Sequence, residues 1–143
     1  MNILSLETSA KAVSCAVVSD GIPIASAWQQ TGLTHSRTLM PMVEAMLKNS
    51  DMALRDMDAV AVAAGPGSFT GLRIGIAAAK GLAWGGGKPC IAVSTLGAIA
   101  SPLSHLEGQL ILCAMDARRQ QIYNALFLAQ EGALTRLAED RAI

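Results

Sequence analysis

The stretch Ala63-Ala64-Gly65-Pro66-Gly67-Ser68-Phe69-Thr70-Gly71-Leu72-Arg73-Ile74-Gly75 decides the fold. The apolar run that leads into it, Ala59 to Ala64, reads as a buried strand of the parallel kind. The Gly/Pro turn opens directly into small and apolar residues that continue as a helix to near Trp84. A strand, a glycine turn and a helix in that order have two uses. They aim backbone N–H groups at an anion, or they let a helix pack closely on a sheet.

Upstream, Ile3 to Glu7 and Val13 to Val18 read as short strands on either side of the polar loop Thr8-Ser9-Ala10-Lys11-Ala12. Asp20-Gly21 signals a tight hairpin, which returns as a third strand from Ile22 to Trp28. Thr34 or Ser36 caps a helix running to about Asn49, where Leu39, Val43, Met46 and Leu47 fall on one face. Pro41 is awkward inside it. Asp51 to Asp58 reads as a short helical or turn-rich connection.

Downstream, Gly85-Gly86-Gly87 ends the second helix. Cys90 to Val93 is a strand, and Ser94 or Thr95 caps a helix toward Leu106 with an irregularity at Pro102. The order βββαβαβ followed by a helix predicts an α/β lobe with a mixed sheet. Leu110 to Met115 and Ile122 to Leu128 then restart a strand pattern across Asp116 to Gln121, as if opening a second meander. Two regions are expected, 1–106 and 107–143, the second an incomplete lobe.

Composition narrows the function classes. Of 143 residues, 52% are hydrophobic and 15% charged, with a formal net charge of zero. A neutral chain lacks the basic face that independent nucleic-acid binding needs. The apolar runs are too short or too interrupted for a membrane span, and no signal-peptide pattern opens the chain. Cys15, Cys90 and Cys113 are widely spaced, as reduced thiols of a cytoplasmic protein would be.

Several motifs carry or exclude chemistry. The turn residues Gly65, Gly67, Ser68 and Thr70 form a candidate anion-binding turn. The Walker lysine is missing after Gly71, and the glycines do not keep the Gly-x-Gly-x-x-Gly spacing. Close helix packing is the favoured reading of the two. Gly71, Gly75 and Ala79 lie four apart and make a bare ridge, which meets either its own sheet or a partner helix. With Leu39, Val43 and Met46 they are the candidate partner-interface residues. His35 and His105 belong to no metal-binding pair, and Gly67-Ser68-Phe69 is not a nucleophile elbow. Glu7 and Asp116 stand at strand ends, where single acids are usually turn residues. No catalytic residue, metal ligand or cofactor site is expected.

Five segments in order carry a resemblance: Ile3 to Ser9, Thr34 to Pro41, Gly65 to Gly75, Val93 to Leu96 and Met115 to Arg118. Together they resemble the TsaB (YeaZ) family over the whole chain. The resemblance implies an actin-like, Hsp70-like fold of RNase-H-like lobes. It also implies a non-catalytic subunit in the synthesis of threonylcarbamoyladenosine at position 37 of tRNA. Such a subunit binds a TsaD-type transferase through helices of the first lobe and works with a TsaE-type ATPase. A homodimer is the competing assembly. Two features depart from the pattern. Glu7 replaces the Asp of active actin-like ATPases, and the loop after it has no phosphate-binding glycine. The family's second lobe is also longer, so the chain resembles a truncated form. A nucleotide-binding actin-like enzyme using Gly65 to Gly71 is the alternative, and a peptidase is disfavoured.

Overall fold

A computed structural model describes residues 1–143. The chain forms two compact units, one of residues 1–64 with 68–92 and the other of residues 65–67 with 93–143.

The first unit is built on the sheet order β3-β2-β1-β4-β5. Strand β1 (Asn2–Glu7) pairs antiparallel with β2 (Val13–Ser19), and β2 pairs antiparallel with β3 (Ile22–Gln29). Strand β4 (Ala59–Gly65) lies parallel to β1, with Ile3 opposite Ala59 and Leu6 opposite Val62. Strand β5 (Cys90–Ser94) completes the sheet. The expected meander and the parallel strand are both present, and the sheet is mixed.

Helices α1 (His35–Asn49) and α2 (Phe69–Gly85) cover one face. Leu4, Leu6, Val13, Cys15, Val17, Val60 and Val62 alternate along the strands toward that face. Leu39, Val43, Met46 and Leu47 of α1 and Ala79 and Ala83 of α2 close the core over them. Alternation of period two on the strands and three to four on the helices is what brings these residues together. The connection after α1 contains a short 3-10 turn, Leu54–Asp56, as its turn-rich composition suggested.

The second unit is a three-stranded antiparallel sheet in the order β6-β7-β8: β6 (Leu110–Arg118), β7 (Gln121–Gln130) and β8 (Ala133–Ala142). The β6–β7 turn places Arg118, Arg119 and Gln120 at positive φ, and the β7–β8 turn does so for Glu131 and Gly132. Helix α3 (Thr95–Ala100) packs on one face of this sheet, putting Leu96 and Ala100 beside Ile111, Cys113, Ala125 and Phe127. The sequence had placed this helix before the boundary at Leu106 and run it toward that residue. It stops at Ala100 and continues as a 3-10 turn, Ser101–Leu103. Pro102 has no N–H to extend an α-helical ladder, so the tighter turn takes over.

Candidate functional site

The Thr8–Ala12 loop is the meeting point of the first unit. Thr8 is fully buried, and its hydroxyl donates to the Gly71 carbonyl at 2.6 Å. The Ser68 N–H donates to the Ser9 carbonyl at 2.7 Å. His35, at the start of α1, sets Nε2 2.7 Å from the Ala10 carbonyl. A carbonyl only accepts, so this ring nitrogen carries the proton. The starts of both long helices are thereby tied to one loop.

The glycine ridge explains how α2 comes so close. A Cβ on Gly71 would lie 2.2 Å from the Thr8 carbonyl oxygen, and a Cβ on Gly75 would lie 2.2 Å from Thr8 Oγ1. Neither position has room for a side chain. The ridge is occupied within the chain, and Ala79 continues it as a fully buried residue. Leu39, Val43 and Met46 are likewise buried in the chain's own core. These six residues were candidates for a partner interface or for packing, and in this chain all six are buried where α1 and α2 sit on the first unit. Small residues at a four-residue spacing permit close approach of any neighbour, and here the neighbour is Thr8.

At the glycine turn, β4 ends on Gly65 with φ +124°, a conformation that side chains disfavour. Ser68 caps α2, its Oγ accepting the Gly71 N–H at 3.3 Å, and its carbonyl accepts the Leu72 N–H at 2.8 Å. The N–H and hydroxyl of Ser68 therefore already serve the fold. Gly67 is half-buried and Thr70 exposed. The acids flagged at strand ends are turn residues: the Glu7 carboxylate accepts the Ser9 N–H, and Asp116 accepts the Arg118 N–H at 2.7 Å. His105 sets Nδ1 2.9 Å from the Pro102 carbonyl. No three His, Cys, Asp or Glu side chains converge as a metal site would need. Burial pushes the Cys15 thiol up to about 11 and raises that of Cys113, while Cys90 is exposed.

What the sequence did not reveal is the outward face of α2. Phe69 is 70% exposed and Trp84 is 90% exposed at opposite ends of the helix. Between them Arg73, Ala77 and Lys80 are exposed as well. The Arg73 guanidinium lies 3.9 Å from the Phe69 ring centroid, within cation–π range. A helix that is apolar nearly all round hides which side faces out, and the only available signal was an aromatic residue beside the closing glycines.

In the second unit, Arg136 links three groups. It pairs with Asp140, donates to Ser94 Oγ at 2.9 Å and lies 4.8 Å from the Phe127 ring centroid. Ser94 also caps α3, accepting the Gly97 N–H at 3.1 Å. The arrangement ties β8 to the start of α3. No helix of the chain is long and apolar enough to cross a membrane.

Comparison with known proteins identifies the lineage. Residues 29–143 match the family model described as "TsaD: tRNA N6-adenosine threonylcarbamoyltransferase". The tRNA threonylcarbamoyladenosine biosynthesis protein TsaB of Bacillus subtilis is 38% identical over the whole chain, which spans 62% of that relative's length. The solved structure of YeaZ from Pseudomonas aeruginosa superposes with a TM-score of 0.87 at 32% identity, covering 99% of this chain and 66% of the other. Component A of (R)-2-hydroxyglutaryl-CoA dehydratase from Acidaminococcus fermentans shares the fold alone, with a TM-score of 0.58 at 16% identity over 100% of this chain and 47% of its own. With its family model, the relatives that match the whole of it and its mixed actin-like α/β fold in agreement, the chain belongs to the TsaD family of sequences and, within it, to the TsaB (YeaZ) proteins.

Proposed function

We propose that this chain is part of an accessory subunit in the making of threonylcarbamoyladenosine at position 37 of tRNA, and that it acts in the cytoplasm by binding a TsaD-type transferase subunit. The observation that carries the reading is the outward face of α2. The chain has only two Phe, two Trp and one Tyr, and it leaves Phe69 and Trp84 in solvent on that helix, flanking two cations. Exposed aromatic and arginine side chains are the residue types that carry most binding energy at protein interfaces. The buried ridge Gly71-Gly75-Ala79 supports this role indirectly by fixing α2 on Thr8, so that its outer face is rigid. A TsaE-type ATPase joins through the assembled pair, and a homodimer through the same face is the competing assembly.

A nucleotide-handling enzyme is the second reading. It would need free donors at the glycine turn, and the Ser68 N–H is already engaged by the Ser9 carbonyl. Calorimetry with Mg-ATP separates the two readings: micromolar binding with turnover favours the enzyme.

The test of the first reading mixes the chain with a TsaD-type subunit and measures complex mass and transferase activity. Trp84→Ala is expected to weaken the complex by about 2 kcal/mol, roughly thirtyfold, as truncation of a buried interface aromatic does. The variant's melting should stay unchanged, because Trp84 touches little of its own chain. An unchanged affinity for both Trp84→Ala and Arg73→Glu would remove this face from the interface.

A further inference from the structure

A second surface lies on the other side of α1, and the function proposed above makes no use of it. Strand β3 ends the five-stranded sheet, so one of its edges has no neighbouring strand. Between that strand and α1 runs an open groove of about 760 Å³. On the strand side Ile24 is 51% exposed, and Ala25 and Ala27 face α1 from the regular part of the strand. Leu33, Pro41 and Met42 supply the rest of its apolar lining.

The edge is not uniformly open. Pro23 has no N–H to offer, and the pairing with β2 slips between Val17 and Val18, which leaves Ile24 out of register. Proline and a bulge are the usual guards of an edge strand. Beyond them the register is regular, from Val17 opposite Ala25 to Val13 opposite Gln29. Over Ala25–Gln29 the outer edge presents a ladder of backbone donors and acceptors with no guard.

The groove also carries one charge. Arg37 is the only charged residue among those lining it, and its guanidinium takes part in neither ion pair of the chain. Pro41, one helical turn on, has no N–H, so the Arg37 carbonyl lacks its intrahelical donor.

We propose that this groove binds an extended segment of another polypeptide, which adds as a strand to the Ala25–Gln29 edge of β3 and carries a carboxylate that pairs with Arg37. Each element of the site matches one element of that ligand. The open ladder takes main-chain hydrogen bonds, which supply affinity. Alternate side chains of an added strand point to the same face of the sheet as α1 and enter the groove beside Ala25, Ala27 and Met42. Arg37 sets polarity and register by selecting an acid at one end. A folded helix would leave the edge unpaired, and a small apolar molecule would leave both the edge and Arg37 unused.

The test uses the 143-residue chain with Trp84→Phe, so that Trp28 is the sole tryptophan reporter. The ligands are capped ten-residue peptides alternating Val, Ile or Leu with Thr and carrying one Glu near an end. Matched peptides carry Lys in place of Glu, or N-methyl groups on alternate backbone nitrogens. The expected result is micromolar binding of the Glu peptides by Trp28 fluorescence, with new amide protection confined to the β3 edge. N-methylation should abolish binding, and Arg37→Glu should weaken the Glu peptides about tenfold while favouring the Lys peptides. The proposal is overturned if no Glu peptide binds below millimolar concentration, or if N-methylated peptides bind equally. It is overturned as well if sedimentation shows that a second copy of the chain already covers the edge.

Discussion

The two units solve the same problem, covering one face of a sheet, with unequal means. In the first, two helices of 15 and 17 residues lie across five strands. In the second, a helix of 6 residues covers three. The first unit obtains its fit from backbone contact, since α2 sits directly on Thr8 where Gly71 and Gly75 have no side chains. The second obtains it from side chains: Leu96 and Ala100 against Ile111 and Phe127, with Arg136 tying the edge strand to the helix start. The other face of this sheet carries Leu110, 64% exposed, and Leu112, 66% exposed, with no helix over them. A glycine seat tolerates no growth of a side chain, and a small side-chain core tolerates no loss. The two units should therefore fail in opposite ways.

The largest effect is expected in the second unit. Phe127 is 3% exposed and is the only fully buried aromatic of its core, with Tyr123 half-buried against it, so Phe127→Ala should cost about 3–5 kcal/mol. In urea, monitored by hydrogen exchange, Ala125 to Ala129 should lose protection well before Leu4 or Val60 does. Simultaneous loss across both units would show that they unfold as one and would end the contrast.

The first unit should respond next, and to an added methyl rather than a lost one. Gly75→Ala is expected to cost about 1–3 kcal/mol through overpacking against Thr8 Oγ1. The obstacle is the Thr8 hydroxyl oxygen, so Thr8→Ala in the same chain should return part of the loss. Gly71→Ala meets the Thr8 backbone oxygen instead, and no substitution at Thr8 removes that atom. Rescue of Gly75→Ala without rescue of Gly71→Ala, read from urea midpoints of the double mutants, is the signature of this seat. Equal rescue at both glycines would mean that the loop moves as a whole.

These contrasts also mark what was legible in the sequence. The branched residues of Ile3 to Glu7 and Val13 to Val18, and the Asp20-Gly21 turn, carry local information that tertiary packing does not override. The strand, turn and helix around Gly65 to Gly75 were legible for the same reason. What the ridge touches was not legible, because a bare helix face admits a sheet, a loop or a partner equally. Thr8 gave no signal of its own, being one small polar residue in a polar loop, and its burial follows only once α2 is seated. The assignment of α3 to the second sheet depends on contacts of Leu96 with residues far along the chain, and no local pattern encodes those. The outward aromatics of α2 escaped for the converse reason: apolar residues in a helical run read as core, and Phe69 and Trp84 are not.

A smaller effect tests the uncovered face directly. Leu112 faces away from α3, so Leu112→Glu should change stability by no more than about 0.5 kcal/mol, as at ordinary surface positions. Its cross-strand partner Leu126 is half-buried, so the pair loses some apolar contact. A cost comparable with that of Phe127→Ala would show that this face is covered in solution and that the second unit is better supported than its short helix suggests.

The smallest effect concerns the thiols, and its sign follows from burial. Cys15 holds its proton to about 11 in the folded chain against a usual value of 9.0, because burial disfavours the thiolate. Cys113 is shifted in the same direction for the same reason. Below the usual value both folded and unfolded chains keep the proton, and these groups impose no pH dependence. As pH rises from about 9 toward 11, the unfolded chain releases its thiol protons first, so folding loses stability across that window. Urea midpoints should fall over this range, and the fall should be shallower in Cys15→Ala than in the parent chain. Near neutral pH the same burial predicts that a thiol reagent modifies exposed Cys90 while Cys15 and Cys113 stay protected until urea opens their respective units. The order in which those two become reactive compares the units without any change of sequence. Modification of Cys113 at lower urea than Cys15 would fit a second unit held by a short helix and a small core, and the reverse order would place the weaker packing in the first.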